Sequence, residues 1–163
     1  MGYKLEAFIL NHRAAEMLPD DLRHLHRFRL SDHLTLVPVT RQLWQEVEAI
    51  FGKYKAEDDP YEDSLLMRLL VPLIQMAVKV SSVSAVLYFE VDVVSGGIGD
   101  RSAIVWHQGE AVYGPTWGTS QVAEAFRLFG QLEGLPSDWG VGLRIDRHRF
   151  TEDWVQDIER GSD

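Results

Sequence analysis

The chain has 163 residues, 45% of them hydrophobic and 25% charged, which suits one domain with its own core rather than a disordered chain. The absence of cysteine excludes disulfides, thiolate nucleophiles, iron–sulfur clusters and cysteine-based zinc sites, and it fits a reducing, cytoplasmic location. A formal net charge of −9 repels phosphate backbones, so nucleic acid is not an expected partner, whereas a basic protein is a compatible one.

Tyr3 to Leu10 alternates as a strand does, with Leu5, Ala7 and Ile9 on one face and Lys4 and Glu6 on the other. Those charges also argue against a signal peptide. Asn11 is placed to cap a short helix ending near Leu18, which Pro19-Asp20-Asp21 breaks. His26 to Val37 reads as a hairpin pivoting at Ser31-Asp32 and closing before Pro38, which has no amide to give a ladder. Thr40 then caps a helix through Phe51, in which Leu43, Trp44, Val47, Ile50 and Phe51 fall at helical spacing and Gly52 supplies the stop. Residues 53–63 are charged and contain Pro60. They read as a loop inside one domain spanning 1–163, because neither flank is self-sufficient.

Ser64 to Val80 is the most apolar stretch, interrupted by Arg68, Pro72, Gln75 and Lys79. That spacing draws a polar stripe down a core helix, and a homodimer seam is the alternative use of its apolar surface. It is too short for a membrane span, which needs ~20 apolar residues, and it carries Arg68. Val83 to Val94 is the clearest strand: Ala85, Leu87, Phe89, Val91 and Val93 alternate with Ser84, Val86, Tyr88, Glu90 and Asp92. A glycine-rich turn follows. Arg101 to His107 returns as a second strand, and Gln108-Gly109 turns into a third at Glu110 to Tyr113, ended by Gly114-Pro115. These segments predict an antiparallel meander over 83–113.

Thr119 or Ser120 caps a helix stopped at Gly130, residues 140–146 carry no clear period, and a last short helix starts at Thr151. The expected class is therefore α+β, a mainly antiparallel sheet packed by helices. Both halves read strand end, proline, helix cap, aromatic, glycine (Val37-Pro38-Val39-Thr40 to Gly52; Gly114-Pro115-Thr116 to Gly130), a loose echo of duplication.

Glu90, the Gly96-Gly97-Ile98-Gly99 turn, Ala103, Trp106, Gly109, Gly114-Pro115 and the run His148-Arg149-Phe150-Thr151-Glu152-Asp153-Trp154, in that order, resemble an uncharacterised family of small bacterial proteins. The resemblance is best over residues 85–154. It implies a shared fold and a bacterial origin, and it brings no activity with it.

The glycine turn leads into a strand rather than a helix and is not followed by Lys-Ser or Lys-Thr, so no nucleotide cofactor is expected there. His24, His26 and His33, with Asp32, are an alternative zinc set, but their spacing is loose and no metal is expected. Glu90 and Asp92 sit at i and i+2 and project from one sheet face. They form a solvated face, pair with Arg101, Arg147 or Arg149, or serve acid–base chemistry. No nucleophile elbow and no His-Glu-x-x-His is present, so no residue is assigned as catalytic. Trp44 and Trp154 have core spacing, whereas Trp106, Trp117 and Trp139 stand where an indole can bind a partner.

The sequence thus points to a non-enzymatic binding protein, of an immunity or inhibitory type, acting on a protein partner through the exposed face of the meander. Its candidate binding residues are Glu90, Asp92, Trp106, His148 and Arg149, with His148 or Arg149 expected to pair with Glu90 or Asp92. One alternative is a small hydrolase or transferase using Glu90, Asp92 and His148. Another is a structural homo-oligomer.

Overall fold

The computed structural model describes residues 3–52, 71–93, 99–140, 148 and 150–159. The loop at 53–63, the start of the apolar segment, most of the glycine turn, Arg147 and Arg149 lie outside the described residues. The chain runs β1 (Tyr3–Asn11), α1 (His12–Ala15), β2 (Phe28–Arg29), β3 (Leu34–Pro38), α2 (Arg41–Phe51), α3 (Val71–Val80), β4 (Val86–Val93), β5 (Gly99–His107), β6 (Glu110–Trp117), α4 (Thr119–Leu132) and α5 (Asp153–Glu159). The strands form one antiparallel sheet of order β2-β3-β1-β4-β5-β6. The protein is a single α+β domain.

Period-2 alternation sorts the strand residues into two cores. Phe8, Leu10, Val37, Val86, Tyr88, Ile104 and Trp106 face α1, α2 and α3 on the first face. Leu5, Ala7, Ile9, Leu36, Leu87, Phe89, Ala103 and Val105 face α4 and the indoles of Trp139 and Trp154 on the second. Burying each leucine, isoleucine, valine or phenylalanine among them stabilises the fold by roughly 1.5–3 kcal/mol. Among the described residues no helix is long and apolar enough to cross a membrane.

Local signals place several ends as expected. The Asn11 side chain accepts from the Ala14 amide and that of Thr40 from Leu43, each at its helix N-cap. Gly52 leaves α2 with φ +94°, a conformation that side chains disfavour. Gln75 and Lys79 lie exposed on α3 as the polar stripe requires, while Leu73, Ile74 and Ala77 are buried.

Several boundaries differ from expectation: α1 ends at Ala15 rather than near Leu18, β3 runs through Pro38, which pairs with Ala7, and β5 starts at Gly99 rather than Arg101. Strand β4 starts its pairing at Val86 rather than Val83. Strand β6 does not end at Gly114-Pro115: pairing shifts register there and resumes as Ala103↔Thr116 and Ser102↔Trp117. Gly114 permits this with φ +83° and an approach so close that a Cβ would stand 2.6 Å from the Ala103 carbonyl oxygen. Helix α4 has Gly118 as its N-cap, with no side-chain cap bond, instead of Thr119 or Ser120. It also runs through Gly130, which is glycine because a Cβ there would strike the Trp139 indole.

Candidate functional site

Register brings together what the sequence keeps apart. In the β1–β4 ladder Glu6 lies opposite Glu90, in β4–β5 Glu90 lies opposite Ser102, and in β5–β6 Ser102 lies opposite Trp117. Opposite residues share a face, so Glu6, Glu90, Ser102 and Trp117 form one row across four strands of the first face. A second row, Lys4, Asp92 and Asp100, runs alongside it.

The inner row is buried: Glu6 is 4% exposed, Glu90 9% and Ser102 4%. Its carboxylates are bound into the fold. The Tyr88 hydroxyl donates to Glu90 Oε1 at 2.6 Å, and Thr151 Oγ1 donates to Glu6 Oε2 at 3.2 Å while accepting from the Glu6 amide at 3.1 Å. Lys4 Nζ stands 3.5 Å from Glu6 Oε1 and 3.8 Å from Asp92 Oδ2. Glu90 and Asp92 do project from one face as expected, but the cation beside Asp92 is Lys4. Arg101 points from the other face and donates to Thr119 Oγ1 at 3.1 Å.

The C-terminal segment is tied to the sheet at β1. Phe150 bridges Lys4, and Thr151, which lies two residues before the first residue of α5 rather than starting it, gives its hydroxyl to Glu6. Trp154 is fully buried as expected. The His148 ring lies edge-on to Trp154, with centroids 5.0 Å apart, and Trp154 belongs to the second-face core.

The three candidate indoles separate cleanly. Trp106 is 0% exposed and packs against Phe8 in the first-face core, so it is not a surface contact. Trp139 is 9% exposed, stacks on Phe126 and donates its N–H to the Phe126 carbonyl at 2.9 Å. Trp117 is 51% exposed at the open end of the row, with Val112 on the same strand 45% exposed. The difference is strand order: β5 is flanked by β4 and β6, while β6 is the last strand of the sheet.

Helices cover both faces of the sheet, which corrects the expectation of an exposed meander face. The sheet has two terminal strands, β2 of two residues and β6 of eight, and the outer edge of β6 pairs with no strand among the described residues. This edge is held firmly at both ends. At the hairpin tip, Gln108 and Gly109 take the positive φ values of a tight turn (54° and 81°). Their amides donate to the Ser81 carbonyl at 2.9 Å and to Ser81 Oγ at 3.0 Å. At the other end the Gly118 amide donates to the Arg101 carbonyl at 2.9 Å.

His24, His26 and His33 do not come together: the described residues hold no group of three His, Asp or Glu able to bind a metal. His12, which no sequence motif marks, has its Nδ1 2.5 Å from Thr35 Oγ1 and its Nε2 2.9 Å from the Ser31 carbonyl. A carbonyl only accepts, so Nε2 carries a proton. The ring fastens α1 to the β2–β3 hairpin beside a cavity of about 420 Å³ lined by Arg13, His33 and Glu133. Glu133 in turn accepts from Asn11 Nδ2 at 3.1 Å and from the Ala85 amide at 2.8 Å. No family model, curated protein or solved structure matches the chain.

Proposed function

We propose that the protein is a non-enzymatic interaction module that takes an extended segment of a basic protein partner as a seventh strand beside β6. The observation that carries this reading is the open β6 edge with Trp117 and Val112 about half exposed on it. Open edges pair with other chains unless blunted by lysine, proline or a bulge; β6 contains neither lysine nor arginine and is interrupted by Pro115. Exposed aromatic residues beside such an edge are the usual anchors of strand addition. The register shift at Gly114-Pro115 splits the edge, which limits the docked strand to short runs and guards against sheet-to-sheet aggregation. The net charge of −9 steers a basic partner toward the domain and keeps acidic ones away.

The acid–base alternative finds less support. Glu90 and Glu6 are bonded to Tyr88, Thr151 and Lys4, which ties both carboxylates into the fold.

A photo-reactive side chain at position 112 tests the reading against the same group at the exposed position 123 on α4. Position 112 should label a discrete basic protein in extracts of the native host, and Trp117→Lys should abolish the labelling. Equal yield from both positions would reject β6 as the docking edge.

A further inference from the structure

We infer that the segment docked on β6 carries an arginine or lysine that lies across the Trp117 indole and pairs with Asp100; this rests on the strand-addition reading above. The inward bond from the Gly118 amide to the Arg101 carbonyl sets the phase of the β5–β6 ladder at its end. Backbone groups of an antiparallel strand alternate sides, so the amide and carbonyl of Trp117, one residue earlier, point outward. A strand added there pairs with Trp117, and its residue opposite Trp117 projects from the same first face as the indole.

On that face the path inward from Trp117 is acidic. Ser102 is its neighbour on β5, and Asp100, two residues along the same strand, is exposed and faces Asp92 across the β4–β5 ladder. Lys4 is drawn away toward Glu6 and Asp92. Asp100 makes no ion pair among the described residues, and β6 adds the exposed Glu110 at its far end. Strands lie about 4.8 Å apart, so an added strand stands about 10 Å from β5. Only a long cationic side chain spans that gap, its stem on the indole and its charge at Asp100, where cation–π and ionic attraction act together. A second copy of this chain fits poorly, because antiparallel pairing of two β6 edges would bring the Asp100 end of one copy toward Glu110 of the other, with no lysine or arginine on either β6.

The test uses the full chain labelled with ¹⁵N and two acetylated ten-residue peptides, threonine alternating with arginine and threonine alternating with glutamate. The arginine peptide should shift the Trp117 indole signal and the amides of 111–117, and the glutamate peptide should not. Asp100→Asn should weaken the arginine peptide about two- to fivefold, while Asp21→Asn, a distant exposed carboxylate, leaves its affinity unchanged. If both peptides shift β6 equally, or if Asp100→Asn and Asp21→Asn weaken binding alike, the cation assignment falls and strand addition stands. If neither peptide moves the β6 signals, both readings fall. Sedimentation that gives a dimer with protected β6 amides would assign the edge to a second copy and overturn the inference.

Discussion

Replacing Thr151 with valine removes one hydroxyl and leaves the side-chain volume unchanged, at a residue 1% exposed. That hydroxyl accepts from the Glu6 amide at 3.1 Å and donates to Glu6 Oε2 at 3.2 Å. Two consequences follow for a valine: the Glu6 amide loses its acceptor, and its carboxylate loses a donor, both where water does not replace them easily. A buried polar group deprived of its partner costs about 1–3 kcal/mol, so we expect a loss of about 2 kcal/mol. For a chain of this size that lowers Tm by roughly 4–8 °C. Urea unfolding followed by circular dichroism reads the loss, and hydrogen exchange should show the Glu6 amide losing protection more than its neighbours in β1. Thr151→Ser keeps the hydroxyl and should recover most of the stability. A valine variant within ~0.5 kcal/mol of the parent, the range of an ordinary surface change, would refute the claim that this hydroxyl ties the C-terminal segment to β1.

Gly130→Ala sets helix propensity, worth about 1 kcal/mol in favour of alanine, against collision with an indole stacked on Phe126 and bonded to its carbonyl. Overpacking costs ~1–3 kcal/mol, so the variant should be less stable; a gain in the urea midpoint would show that Trp139 yields. His12 should appear in long-range ¹H–¹⁵N spectra at pH 8 as the Nε2–H tautomer, because the Ser31 carbonyl can only accept; an Nδ1–H pattern would contradict the fastening described above. Trp117→Phe should leave stability within ~0.5 kcal/mol yet remove the larger part of the acrylamide-quenchable fluorescence, since Trp106 and Trp154 are 0% exposed, Trp139 is 9% exposed and Trp44 is only partly exposed. Unchanged quenching would place the accessible indole elsewhere.

Much of the architecture is readable from short-range pattern. Alternation in 84–93, the side-chain caps Asn11 and Thr40, the positive-φ stop at Gly52 and the Gln108-Gly109 turn all depend on neighbours within a few residues, and each appears where the pattern puts it. The α+β class follows from the same signals. What the pattern does not carry is which strands lie side by side and in what register. Glu6 and Glu90 are 84 positions apart, yet they meet because β1 inserts between β3 and β4. Trp106 and Trp117 both read as indoles able to bind a partner, and only strand order buries one and leaves the other half exposed. Gly130 looks like a helix stop until Trp139 folds back over it, and Thr151 looks like a helix start until the Glu6 amide claims its hydroxyl. Backbone preference is a property of a few consecutive residues, whereas strand order and register are set by burying two apolar faces at once. The β6 edge, and with it the site, exists only once that packing is complete.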